Sequence, residues 1–208
     1  MLHWIAEARA RHVPPATRPG SVLVDLGSGG GLLGPWVAGL GHRHIGLDVV
    51  PTSLALGRNH GVVPVVADVH CLPLRDSSAD VVVAGEVLEH VSGPEALLRE
   101  ALRVLRPGGT LVLDTIARTW WGRMTAVTVG ERIPGGPPRR LHDGDLFVDR
   151  DMVRSVCAEH GVDLHLNGLR PSASDYLLWL ARRREDVRMV PTRTTAGLFQ
   201  GHGIKEIL

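Results

Sequence analysis

Residues 21–31, Ser-Val-Leu-Val-Asp-Leu-Gly-Ser-Gly-Gly-Gly, restrict the possible folds more than any other stretch of the chain. The β-favouring run Val22-Leu23-Val24 ends in an acid, Asp25, and four glycines follow within five positions: Gly27, Gly29, Gly30 and Gly31. Glycine is needed where the backbone takes positive φ or lies directly against a ligand. The stretch reads as a buried strand entering a backbone-only turn that opens a helix at about Leu32. Strand, glycine turn and helix start together make a cradle for a nucleotide-like ligand. A tight turn kept only for packing is the plain alternative, and the rest of the chain decides between them.

The rest alternates. Leu2 to Arg11 reads as a short helix ended by Pro14-Pro15. Further strands are expected at His44 to Leu47, Val62 to Val66, Asp80 to Ala84 and Thr110 to Leu113. Helices are expected at Pro51 to His60 and Pro94 to Leu105, with Pro107-Gly108-Gly109 as a tight turn. The Val81-Val82-Val83 run marks a strand buried on both faces. From 116 to 147 the alternation stops, which marks a lid-like insertion in one domain spanning 1–208. A helix from Arg150 to His160, a strand from Asp163 to Leu169, a helix from Asp175 to Arg184 and a strand from Ala196 to His202 follow. Such alternation specifies an α/β chain with a parallel, doubly wound sheet.

Three acids then narrow the ligand. Asp25 precedes the first glycine by two residues, where a dinucleotide-binding fold has an apolar residue. It suits an ammonium group or an ordered water. Asp48 ends the second strand, where a carboxylate accepts from ribose hydroxyls, and Asp68 ends the third, within reach of an adenine amine. All three fall on the carboxyl edge of the sheet. Amine, ribose and adenine together describe S-adenosylmethionine. No Lys or Arg follows the glycines as in a phosphate-binding loop. Singly, each acid is an ordinary loop acid or helix cap.

Asp25-Leu-Gly-Ser-Gly-Gly-Gly31, Gly46-Leu-Asp48, Ala67-Asp68, the run from Asp80 to Val91 and Leu105-Arg-Pro-Gly-Gly109 resemble, in order, the motifs of class I S-adenosylmethionine-dependent methyltransferases. Within that superfamily the chain is most similar to the ubiquinone-biosynthesis O-methyltransferases, which methylate polyprenyl catechols. That narrower likeness rests on Glu86-Val-Leu-Glu-His-Val91, Thr115-Ile-Ala-Arg-Thr119 and Leu141-His-Asp-Gly-Asp-Leu-Phe147. The resemblance implies a Rossmann-like, seven-stranded sheet in the order 3-2-1-4-5-7-6 with strand 7 antiparallel. It implies cofactor contacts at Asp25, Gly27, Ser28, Gly29, Gly31, Asp48, Val49, Asp68, Val69 and Glu86. The arginine with which that family closes the cofactor site has its counterpart at Met1, so it is expected to be absent. Gly85 stands where the family often has a larger apolar residue.

Glu86, Glu89 and His90 are spaced i, i+3 and i+4 and would share one face of a helical turn. Two carboxylates and an imidazole can hold a hard cation such as Mg²⁺, which would lower the pKa of a catechol hydroxyl. The resemblance implies a metal at this set. The alternative keeps Glu89 and His90 as direct acid–base or structural groups. His142, before an aromatic residue in the family pattern, is a further candidate base. Trp120, Trp121, Arg132, Arg139 and Arg140 fit either a lid over the substrate or peripheral contact with anionic lipid through 118–140.

The expected activity is O-methylation of a small aromatic, catechol or quinol-like substrate. C- or N-methylation of another metabolite and a catalytically silent partner subunit are the alternatives. Net charge of +1 gives no footprint for nucleic acid. Two distant cysteines, no membrane-length apolar run and no secretion signal point to a cytoplasmic protein, with membrane association left to the insertion. The oligomeric state is not specified.

Overall fold

A computed structural model describes residues 2–129, 132, 134 and 144–207, without the side chains of 127 and 129. Its elements are α1 (Leu2–Ala10), β1 (Val22–Leu26), α2 (Gly34–Val37), β2 (Arg43–Asp48), α3 (Pro51–Gly57), β3 (Val63–Val66), β4 (Ala79–Gly85), α4 (Pro94–Val104) and β5 (Leu105–Ile116). They continue with α5 (Trp120–Arg123), α6 (Arg150–Glu159), β6 (His165–Pro171), α7 (Ala173–Leu180), β7 (Met189–Thr192) and β8 (Leu198–Ile204). Single 3₁₀ turns follow α2, α3 and β4, and a π-helical turn, Met124–Val129, follows α5.

The strands form one sheet in the order β3-β2-β1-β4-β5-β8-β6-β7. β3, β2, β1, β4 and β5 are mutually parallel. β8 enters antiparallel between β5 and β6, and β7 pairs antiparallel with β6. The expected order is present, with an eighth strand added at the edge. Pro191 hides β7 in the sequence, because a proline argues against a strand except at such an edge.

Two apolar layers flank the sheet. Leu23, Val81, Val83 and Val112 face Val13, Leu33 and Val37 on the side of α1 and α2. Val24, Val82, Leu111 and Leu113 belong to the opposite layer with Leu97, Leu98, Val153 and Val156 of α4 and α6. All seven residues of β4 are buried, as its valine run requires. The helix after the glycine turn is shorter than the stripe Leu32, Leu33, Trp36, Val37 and Leu40 implies. Only Gly34–Val37 is α-helical, Leu33 and Val37 are buried, and Leu32 and Trp36 are exposed. Glycines 34, 39 and 41 in the same stretch give a longer helix little to hold it. Pro107 to Gly109 does turn, but as an irregularity inside β5, where the partner of Ala79 is Leu105 and that of Val81 is Thr110.

Candidate active site

β1, β2 and β4 end side by side, and the glycine turn folds over the ends of the first two. Ser28 N–H donates to Leu47 O at 3.0 Å. Gly27, Gly29 and Gly31 have φ of +66°, +51° and +72°. A Cβ on Gly27 would meet Val87 at 2.5 Å, so glycine is doubly required there. Asp48 locks the turn: its Oδ2 accepts from Gly29 N–H and its Oδ1 from Val50 N–H, each at 2.9 Å. Gly46 leaves room for Ser28, whose buried Oγ has no partner. Val49 is exposed beside Asp48, whereas Val69 is buried in the core. Asp68 is exposed and accepts from the His70 backbone and ring, which hold its pKa below the usual range.

Asp25 is buried and lies 3.3 Å from His44 Nε2. Beyond it, β4 hands over to Glu86, a non-glycine residue at φ +52°. Glu86 N–H donates to Asp114 O of β5 at 2.9 Å. The neighbouring Thr115 Oγ1 donates to Glu89 Oε2 at 2.7 Å. Both Glu86 Oε1 and Glu89 Oε1 are buried without a partner. Burial, then the charges of Glu89 and Asp114, push the Glu86 carboxyl well above its ordinary pKa. Burial pushes Glu89 up to about 7, against the Thr115 hydrogen bond.

The helical face expected for Glu86, Glu89 and His90 does not form. Glu86 is left-handed, only Leu88–His90 makes a 3₁₀ turn, Glu89 is 1% exposed, and His90 points outward. Among the described residues no group of His, Cys, Asp or Glu is arranged to hold a metal ion. The donor set does not fit Mg²⁺, and no step is assigned to one. His142 lies outside the described residues.

Three residues here were not singled out from sequence: Arg9, Asp114 and Thr115. Arg9 reaches in from α1 and makes a bidentate, buried pair with Asp114 at 2.5 and 2.8 Å. Its guanidinium fills the space over Gly85, where any Cβ would strike Arg9 Cζ. Burial opposes the Arg9 charge, but Asp114, Asp25 and Glu86 outweigh it and raise its pKa. Arg9 lies inside α1 and is not the position of the family's arginine, whose counterpart, Met1, lies outside the described residues. An acid inside the apolar run Leu111-Val112-Leu113-Asp114 was the available signal for its partner.

A methyltransferase-domain profile matches residues 24–113, which span β1 through most of β5. A ubiquinone-biosynthesis O-methyltransferase of Methylobacterium is 35% identical over 167 residues, covering 74% of this chain and 67% of that protein. The enzyme of the same name from Cupriavidus pinatubonensis is 30% identical, covering 85% and 74%. The chain belongs to the class I S-adenosylmethionine-dependent methyltransferases. A methyltransferase of Thermotoga maritima described as a possible histamine N-methyltransferase shares the fold at a TM-score of 0.66 and 18% identity, over 99% of this chain and 91% of that one. The chain spans about half the length of the mouse mitochondrial ubiquinone-biosynthesis relative, which is 29% identical over 77% of this chain.

In a methyltransferase of this class the cofactor supplies a methyl group on a sulfonium. At this edge Gly27, Gly29 and Gly31 form the turn, and Asp48, Val49 and Asp68 follow at the ends of β2 and β3. The unpartnered Ser28 Oγ beneath the turn and the unpartnered oxygens of Glu86 and Glu89 beside it are consistent with a polar ligand there.

Proposed function

We propose that this methyltransferase O-methylates a hydroxyl of a small aromatic, catechol or quinol-like molecule, with Glu89 as the group that takes the hydroxyl proton. One observation carries the reading: a buried carboxyl with a free oxygen and a pKa of about 7 stands at the end of β4, beside the glycine turn. A base is most useful when its pKa lies near the working pH. Thr115 fixes one oxygen of Glu89 and leaves the other open. Burial also pushes the neighbouring Glu86 carboxyl well above its ordinary pKa, and a proton shared within the pair keeps two negative charges from meeting in this space. The names of the relatives support a quinol-like acceptor.

The test is methyl transfer from labelled cofactor to a panel of catechols and aromatic amines, with wild type and Glu89→Gln. Transfer to catechols that collapses in the variant supports the reading. Transfer to amines alone, or a fully active variant, rejects it.

A lipid surface is proposed as the neighbour of this site. Trp120 and Trp121 are exposed on α5, and Leu177, Leu178 and Leu180 are exposed on α7, ahead of Arg182 and Arg183. Both helices follow strands that end at the same edge as the glycine turn, and aromatic, aliphatic and basic groups in that company suit an anionic interface. Among the described residues no helix is long and apolar enough to cross a membrane. Protein that stays in the soluble fraction with phosphatidylglycerol vesicles would remove this part.

A further inference from the structure

We propose that the buried Arg9–Asp114 ion pair is the positioning element of the methyl-transfer site, holding the two glutamates against each other and balancing their charge from opposite sides. The proposal deepens the reading of Glu89 as proton acceptor and takes its catalytic meaning from it.

Four contacts converge. Arg9 spans from α1 to Asp114 across the floor left open by Gly85. Asp114 O accepts the Glu86 N–H, and so holds a residue whose φ of +52° needs outside support. Thr115, the next residue on β5, donates to Glu89. The Asp114–Thr115 dipeptide therefore grips both glutamates, and Arg9 grips the dipeptide. The ion pair also ties α1 to β5. Apolar residues of similar size would fill the same space without the desolvation cost of two buried charges.

The electrostatics follow from the same placement. Toward Glu86 and Glu89 the Asp114 charge favours the protonated carboxyl, and the Arg9 charge favours the ionised one. Among the described residues, the other polar and titratable groups near the pair include His12 beside α1, which stacks on His202 of β8 with His165 beyond it, Asp25 with His44 on β1 and β2, and Gln200 on β8 with Asn167 next to it. Asp25 acts on Arg9, and His12 feels Asp114. Gln200 sits opposite Asp114 in the β5–β8 ladder and reaches His12 at 2.7 Å. Removing one half of the Arg9–Asp114 pair exposes the glutamates to the other half alone. The two removals therefore have opposite signs, which loss of packing cannot imitate.

The experiment follows the glutamate carboxyl carbons by NMR in ¹³C-labelled full-length protein without ligand, with Glu86→Gln and Glu89→Gln supplying the assignments. Arg9→Gln is expected to raise the Glu89 midpoint by about one pH unit or more, and Asp114→Asn to lower it by a similar amount. The double variant Arg9→Gln/Asp114→Asn returns it close to wild type, and Arg9→Lys, which keeps the charge, shifts it less than Arg9→Gln. Midpoints that move in the same direction in both single variants, or that stay fixed, overturn the proposal. Should one single variant fail to fold, Arg9→Lys and the double variant give the same decision: a Glu89 midpoint in either that departs as far as in the surviving single variant overturns it. No acceptor takes part in these titrations, so an active Glu89→Gln enzyme would sink the base reading while leaving this result standing.

Discussion

β4 carries a carboxylate problem at each end and solves the two differently. Asp80, near its start, is 4% exposed, yet Val22 N–H, Arg18 and Arg106 all donate to it, at 2.8 to 3.1 Å. Burial works against its charge, and those donors overcome it, so Asp80 titrates below the usual range. Half-buried Glu86 and buried Glu89, just past the other end, each leave one buried oxygen unpaired and have raised pKa values. A fully satisfied acid pins a fold; an unsatisfied pair next to a ligand cradle is a cost that function has to repay.

Mutation should separate these two ends cleanly. The largest effect is expected at Glu89→Gln, where methyl transfer falls by about 10²- to 10⁴-fold. The same protein should bind S-adenosylhomocysteine almost as well as wild type in a calorimetric titration. Asp80→Ala should do the reverse: unfolding free energy in urea falls by roughly 2–4 kcal/mol, because Arg106 and the Val22 N–H lose their acceptor. Its cofactor affinity stays as it was.

Stability against pH gives the next contrast. A carboxyl raised on folding stabilises the fold while protonated. For Glu89 that contribution is complete below its unfolded value of 4.5 and is lost as pH rises to about 7. The melting temperature of Glu89→Gln should therefore exceed wild type at pH 8, and the gap should close toward pH 5. Asp80, depressed in pKa, contributes above its unfolded value of 3.8 and loses that contribution as pH falls through its folded value. Asp80→Asn should resemble wild type most closely in strong acid. The smallest change is expected from Asp68→Asn on the exposed rim. It should weaken S-adenosylhomocysteine binding by about 2- to 10-fold with no shift in melting temperature.

The satisfied end of β4 was read as plain strand, and the functional end only in part. The glycine turn, Asp48 and the valine run of β4 were legible because each depends on neighbours in sequence: positive φ, a strand end, burial on both faces. Glu86, Glu89 and His90 were grouped by helical spacing, and that failed because Glu86 is left-handed and the turn after it is 3₁₀. Arg9 and Asp114 lie 105 residues apart and meet only when α1 lies across β5, so no local pattern announces them. α2 was overread because a leucine stripe says nothing about how many glycines interrupt it. β7 was missed because its proline is tolerated only at a sheet edge, and the edge is a property of the finished fold.

The placement of β8 has a bearing on how the molecule comes into being. Seven consecutive residues of β5, Thr110 to Ile116, pair with β8, a strand synthesised after β6 and β7. Until that segment leaves the ribosome, the strand that carries Asp114 and Thr115 presents a bare edge to any other extended chain. β6 cannot join the sheet either, since β8 is the wedge between them. A nascent chain stalled before residue 198 should therefore expose a sticky, incomplete sheet and call on chaperones, and closure of the sheet and completion of the site should come as a single late event.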